Sequence, residues 1–94
     1  MKTVDFKKKF KDYKGTETVS IIEEELSKVL FNAGIQGIPI KDEDKYRAYK
    51  LSTKLIAHSG VIELGDDDVA FLKTFCSAAF AAGAYGQIVE LLEK

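Results

Sequence analysis

Lysines and aromatic residues alternate at the start of the chain, in a pattern typical of segments that bind single-stranded nucleic acid. Six lysines fall within the first 14 residues, with aromatic residues among them. In such a segment the lysines neutralise phosphates while the rings stack on bases. The residues that would make these contacts are Lys7, Lys8, Lys9, Phe10, Lys11 and Tyr13.

The same segment has a simpler structural interpretation, which we favour. Residues 1–14 carry a net charge of +4, whereas the whole chain carries −1, so the remaining chain is acidic. Nucleic-acid-binding proteins usually spread their positive charge over a wider surface. We therefore expect Phe6 and Phe10 to be buried, with the lysines as a solvated face that keeps an exposed edge from aggregating.

A second group of cations lies near the middle of the chain, at helical spacing. Four donors fall within about 80° of one another on a helical wheel, namely Arg47, Lys50, Lys54 and His58. The apolar residues predicted for the opposite side are Ala48, Tyr49, Leu55 and Ile56. Such a stripe is either a surface for an anion or an acidic partner, or the solvated outside of an amphipathic helix.

Residues that carry catalysis or metal chemistry are few and isolated. His58 is the single histidine, and no nucleophile pattern surrounds it. The triplet Asp66–Asp68 lacks the spacing of a calcium loop and fits the first turn of a helix, where carboxylates are favoured. Cys76, the single cysteine, lies in an apolar run and is predicted to be a core residue. We predict a protein that is not an enzyme and has no cofactor or metal.

Two helices are predicted in the first two thirds of the chain. Ser20 and Glu23 form a capping-box pattern, after which apolar residues recur at helical spacing until Gly34. A loop that contains the single proline follows. The second helix is predicted from about Asp42 to Ser59.

The remaining chain predicts one short strand and two more helices. The segment 61–64, VIEL, lies between glycines and is predicted to be a brief strand. The N-terminal arm has two interpretations, because Phe6, Phe10 and Tyr13 fit helical spacing whereas TVDF and the Lys-Gly turn indicate a strand or hairpin. We favour an extended arm that pairs with VIEL. Asp66 is the predicted cap of the third helix, and Gly83 its predicted end. A fourth helix is expected over about 84–93.

These elements predict one domain over residues 1–94, with a basic arm over 1–16 and a helical body over 20–94. The predicted fold class is mainly α, a compact bundle of about four short helices with at most a minor two-stranded β element from the arm. The most apolar stretch, FCSAAFAAGAYG, is shorter than the roughly 20 residues that a bilayer crossing requires. No apolar segment follows the lysine-rich start, which predicts no secretory signal and a cytoplasmic protein.

The C-terminal helices are rich in small and apolar residues, which indicates an interface. Small residues let another helix approach closely, either within the chain or from a second copy. Because a small chain rarely buries every apolar stripe alone, we expect a homo-oligomer. The predicted contact residues are Tyr85, Ile88, Leu91 and Leu92.

The order of segments along the chain resembles a family of small accessory proteins of tailed bacteriophages and prophages. The segments are LSKVLFNA, YRAYKLSTKLI, VIELGDDDVAFLK and AYGQIVELLE, after a lysine-rich start that ends in Lys-Gly. The family has no assigned chemistry, so the resemblance transfers no catalytic residue. It implies a non-enzymatic protein that binds other proteins, in virion assembly for example, in the bacterial host cell or in the virion. The alternative is a small nucleic-acid-binding module that uses the arm.

Overall fold

A computed structural model describes residues 2–35 and 37–94 of the chain. Four strands and four helices follow one another along the described residues. In chain order they are β1 (Lys2–Asp5), β2 (Lys9–Lys11), β3 (Glu17–Ile21), α1 (Ile22–Phe31), α2 (Lys45–Ala57), β4 (Val61–Leu64), α3 (Asp66–Ala79) and α4 (Ala82–Leu92). One 3-10 turn, Asp42–Asp44, leads into α2.

The arm begins with a strand that pairs antiparallel with β4, as the sequence predicted for VIEL. Val4 stands opposite Ile62 in this register, and both side chains are buried. The alternation of buried and exposed residues along β4 follows the period of two that a sheet with one buried face requires. The amide of Phe6 extends the pairing by donating to the carbonyl of Gly60 at 2.8 Å.

The next two strands form a separate hairpin, which was one of the alternatives that the Lys-Gly turn indicated, although an extended arm was favoured. β2 and β3 pair antiparallel, with a register irregularity between Lys9 and Lys11. The turn is held by Asp12, whose Oδ1 accepts the amides of Lys14 at 2.9 Å and Thr16 at 3.0 Å. Gly15 takes the positive φ of +84° that closes such a turn.

The first helix starts differently from the prediction, because Ser20 lies in β3 and the capping box does not form. α1 begins at Ile22, and its N-cap residue, Ile21, makes no side-chain hydrogen bond. Backbone carbonyls of the arm satisfy two amides that a helix start leaves free. Ile22 donates to Lys8 at 2.8 Å, and Glu23 donates to Phe6 at 2.9 Å. The arm therefore replaces the predicted side-chain cap.

Helices α1 and α2 pack closely against each other in opposite directions. Small residues lie at their contact, where the Ser52 hydroxyl donates to the carbonyl of Ser27 at 2.9 Å. At the start of α1, Glu23 lies beside Gly60, just beyond the end of α2. A Cβ on Gly60, whose φ is +84°, would meet the Glu23 carboxylate oxygen at 2.6 Å, so this approach requires glycine.

Helices α3 and α4 complete the core, with boundaries that correct two predictions. Asp66 is the first residue of α3, and Gly65 is its N-cap without a side-chain bond. Gly83 does not end α3, which stops at Ala79, but lies in the first turn of α4. The chain turns earlier because Phe80 is extended and turns its ring towards Phe10, with the ring centroids 6.4 Å apart.

The fold is mostly helical, as predicted, but it holds two small antiparallel sheets where at most one was expected. One core joins the four helices with β1, β2 and β4, whereas β3 contributes no buried residue to it. Its buried apolar residues are Val4, Phe6, Phe10, Ile22, Leu26, Leu30, Ala48, Leu51, Leu55, Ile62, Leu64, Leu72, Phe75, Cys76, Ile88 and Leu92. Across residues 2–35 and 37–94, none of the helices has both the length and the apolar character that crossing a membrane requires.

Candidate functional site

The outer surface of the two packed helices carries a cluster of exposed aromatic rings. Phe31 of α1 lies beside Tyr49 of α2, with ring centroids 6.2 Å apart, and Tyr49 stacks with Tyr46 at the same centroid distance. The exposed fractions of these three residues are 61%, 50% and 68%. Rings that contact one another while open to solvent form a patch rather than isolated exposures, and such patches mark interaction sites.

The sequence of α2 produces this patch because its apolar residues extend from the buried side of the helix onto the neighbouring exposed side. Its inner side buries the residues Ala48, Leu51, Ser52 and Leu55. Tyr46, Tyr49, Thr53 and Ile56 follow one another at intervals of three, four and three residues, which is the spacing of a helix–helix seam. All four are exposed. We call these four residues together with Phe31 the α1–α2 face.

The position of Tyr49 and Ile56 corrects the prediction from the sequence, which assigned both to the inner side of α2. Ala48 and Leu55 are buried as predicted, but Ile56 is 58% exposed. The sequence did contain signals of an exposed apolar face. Helix α2 holds more apolar residues than one side of a helix accommodates, and Phe31 did not fit the apolar periodicity of α1.

The predicted cationic stripe lies on the flank of α2 that faces the start of α3. There Arg47 pairs with Asp68 at 3.0 Å and stands 5.8 Å from the ring of Phe71. Lys54 donates to the carbonyl of Glu63 at 2.8 Å. Two of the predicted anion-binding side chains therefore already have partners within the chain.

An open cleft of about 610 Å³ separates this flank from the start of α3. Arg47, Lys50 and Lys54 line one wall, and Asp66–Asp68 line the other. An anion in the cleft would meet three carboxylates as well as three cations, so its net attraction is small. Lys50 also lies over the ring of Tyr46, 4.9 Å from the centroid, which connects this flank to the α1–α2 face.

His58, the fourth member of the stripe, lies outside the cleft that the other three line. It is the C-cap of α2 and lines a different cleft with Lys54, Val61 and Glu63. Lys54 lines both clefts. The structure therefore brings together Arg47, Lys50 and Lys54, and it places His58 at the helix end, in a cleft that it shares with Lys54.

The predicted apolar contact of α4 is wrong for two of its four residues. Ile88 and Leu92 are 0% and 1% exposed, because they fill the chain's own core. Tyr85 and Leu91 are partly buried and pack against that core. The Lys2 ammonium, which donates to the carbonyl of Leu92, further ties the end of α4 to β1. This helix is therefore a poor surface for a partner.

One part of the basic arm is buried in the core and another part is exposed, so each of the two predicted roles concerns a different set of its residues. Phe6 and Phe10 are buried, as the favoured interpretation expected, so Phe10 cannot stack on a base. The predicted arm residues that stay exposed are Lys7, Lys8, Lys9, Lys11 and Tyr13. Tyr13 is 93% exposed at the turn, with the Lys14 ammonium 5.7 Å from its ring.

Chemistry at cysteine or at a metal finds little support in the part of the chain that the structure describes. Cys76 is a free, buried cysteine, and desolvation raises its pKa to about 12, so its thiol stays protonated. Among residues 2–35 and 37–94, histidine, cysteine and acidic side chains nowhere gather in a group of three that would hold a metal ion.

Comparison of the chain with protein-family models, with curated proteins and with solved structures returns no significant match. Function is therefore inferred from the α1–α2 face and from the hairpin.

Proposed function

We propose that this chain is a non-enzymatic interaction protein that binds protein through its α1–α2 face. The observation that carries the proposal is the contact between three exposed rings, Phe31, Tyr46 and Tyr49, on the outside of two packed helices. Tyrosine and other aromatic residues are enriched at protein interfaces because they bury a large area and lose little conformational entropy.

The electrostatic surroundings of the face also favour a protein partner. Charged side chains surround the rings, as at the rim of an interface, and include Lys28 on α1 and Lys50 on α2. Two cations of α2 have partners within the chain, Asp68 for Arg47 and the Glu63 carbonyl for Lys54. A partner would therefore meet an apolar centre with a polar rim.

Site-specific photocrosslinking in the native cell tests the proposal. A photoreactive phenylalanine analogue at position 49 or 46 should yield covalent adducts with protein, visible as a higher band on a denaturing gel. The same analogue at Tyr13, which is 93% exposed but isolated, should yield few adducts. Equal adducts at all three positions, or none at positions 46 and 49, would refute protein binding by this face.

The setting that we propose is the bacterial host cell, where the protein serves a tailed bacteriophage or prophage as an accessory in virion assembly. The order of sequence segments that resembles small phage proteins supports this setting. Mass spectrometry of purified phage particles from cells that carry the gene is the test. We expect peptides of this chain in a constant ratio to the capsid protein, and their absence from particles would contradict a virion location.

The alternative function is binding of single-stranded nucleic acid by the hairpin, and the exposure of its lysines favours it. Lys7, Lys9 and Lys11 are solvent-exposed, and Tyr13 offers an open ring. The affinity for a labelled oligonucleotide would fall with salt, by a logarithmic slope of about 0.7 for each phosphate that a lysine neutralises. Replacing these three lysines by glutamine should then reduce the slope by about 2.

A matched control for this titration is available on the helical side of the molecule. Lys28, Lys45 and Lys50 are also exposed, and their replacement by glutamine removes the same total charge. If both triple variants weaken oligonucleotide binding equally, the binding is a general effect of net charge and the hairpin is not a site.

A further inference from the structure

We infer that the α1–α2 face joins two copies of this chain in a two-fold symmetric dimer, with α1 of each copy lying on α2 of the other. The inference depends on the proposed function, because it names the partner of the same face. It also moves the oligomer contact that the sequence pattern assigned to α4, whose Ile88 and Leu92 are buried in the core.

The exposed rings provide a substantial share of the area that a dimer needs. An aromatic side chain offers about 150–250 Å² and a standard interface buries about 800 Å² per partner. At exposed fractions of 50–68%, Phe31, Tyr46 and Tyr49 together supply roughly 350 Å² per copy, before Ile56 is counted. A two-fold axis doubles every contact, since the same face serves both copies.

The charges of the two helices select how the copies are arranged. Helix α1 contains three glutamates and one lysine. Helix α2 contains three lysines and one arginine, and no carboxylate. An arrangement with α2 on the partner's α2 would bring two cationic helices together, whereas α1 on the partner's α2 brings opposite charges together. The second arrangement is the one that charge complementarity favours.

The positions of the apolar residues agree with that choice. Because α1 and α2 run in opposite directions, the end of α1 with Phe31 is level with the beginning of α2, where Tyr46 and Tyr49 lie. A two-fold axis parallel to the helices keeps each residue at its level and exchanges the two helices. Phe31 of one copy then lies over the tyrosines of the other, so that aromatic ends meet aromatic ends.

The molar mass in solution, by sedimentation equilibrium over a wide range of concentrations, is the first test. We expect a reversible dimer, with twice the chain mass of 10.4 kDa. Tyr49→Glu should weaken the dimer by about thirtyfold or more, the effect of losing a central interface residue. Tyr13→Glu places the same charge on an isolated exposed tyrosine and should leave the dimer unchanged. Circular dichroism verifies that both variants fold.

A charge exchange then tests the arrangement. The start of α1 is level with the end of α2, because Glu23 lies beside Gly60. One variant makes this end of α1 basic (Glu24→Lys with Glu25→Lys), and a second places a carboxylate on the last turn of α2 (Lys54→Glu). Each variant alone should dimerise more weakly than the natural chain, because like charges then meet at this level of the interface. An equimolar mixture should form a heterodimer, in which the substituted residues of the two variants meet with opposite charges.

The outcomes separate the inference from the proposed function. A chain that stays monomeric at every concentration, or a dimer that Tyr49→Glu leaves intact, overturns the inference. Photocrosslinking from position 49 to a different protein would then preserve the proposed function with another partner. If the basic variant dimerises as tightly as the natural chain, α1 does not lie on the partner's α2 and the arrangement is wrong.

Discussion

The hairpin and the α1–α2 face both expose apolar side chains, but they do so in different ways. In the hairpin, Tyr13 and Val19 are each 93% exposed, and neither belongs to a cluster of contacting rings. On the α1–α2 face the rings are less exposed and contact one another. The more exposed residues are thus the more isolated ones.

This difference shows why clustering is a better guide to function than exposure. Single exposed apolar residues are normal on protein surfaces, because there is too little polar surface to cover a fold. Exposed rings that contact one another form a contiguous apolar patch, by contrast, and such patches mark interaction sites. The hairpin compensates for its two isolated residues with lysines, whereas the α1–α2 face holds its charges at the edge.

The largest expected effect concerns how each region is held to the core. β2 contributes one buried ring, that of Phe10, which packs against Phe80. Phe10→Ala should lower the free energy of unfolding by about 4 kcal/mol, since it leaves a cavity below the hairpin. Urea denaturation measures this loss. A loss below about 1 kcal/mol would mean that the hairpin is held by its backbone alone.

Two glycines have the same φ of +84° and give a matched comparison. Gly15 lies in the hairpin, and Gly60 lies between α2 and β4. Gly15→Ala should cost about 1 kcal/mol from left-handed strain alone, because nothing lies near the added Cβ. Gly60→Ala should cost about 3 kcal/mol, because the Cβ also meets Glu23. Thermal unfolding of both variants measures the difference, and equal losses would show that Glu23 moves aside freely.

A smaller effect is expected at the contact between the hairpin and α4. The Gln87 carboxamide accepts from the Lys11 amide at 2.7 Å and donates to the Lys11 carbonyl at 2.9 Å. Gln87→Ala removes both bonds and should cost about 1.5 kcal/mol. Amide hydrogen exchange should accelerate in β2 and β3 while α1 and α2 keep their protection. Acceleration throughout the chain would contradict a local role.

The smallest expected effects on stability come from the exposed tyrosines. At concentrations where the chain is monomeric, Tyr13→Ser and Tyr49→Ser should each change the free energy of unfolding by no more than about 0.5 kcal/mol, because both side chains face solvent in one copy. The dimer should nevertheless dissociate more easily in Tyr49→Ser alone. A stability loss of several kcal/mol in Tyr49→Ser would show that its ring belongs to the core instead of the face.

Much of the fold follows from short-range pattern. The shortness of VIEL and the glycines on either side predicted β4, and the favoured pairing of VIEL with an extended arm is the one that β1 makes. The start of α1 could not be predicted in this way. Its amides bond to the carbonyls of Phe6 and Lys8, contacts that form only after the arm has folded over the helix.

The candidate site was harder to predict than the fold. A helix with two apolar sides is ambiguous, since the periodicity does not state which side enters the core. The small residues Ala48 and Ser52 decide the matter, because they allow α2 to approach α1 closely. Ile88 and Leu92 show the opposite error, in which apolar character suggested an interface while tertiary packing had already used it.

The single thiol of Cys76 provides a built-in probe of unfolding, because it can be alkylated only when the core opens. In the folded state the sulfur is buried and its pKa is raised to about 12, so an alkylating reagent finds neither access nor thiolate. In the unfolded chain the thiol ionises near its ordinary pKa of 9.0, so stability from this group is complete below that pH and declines above it. Each labelling event then marks one opening of the core around α3. A reagent that reacts faster than the core closes measures how often the core opens, and a slower reagent measures the fraction of molecules that are open.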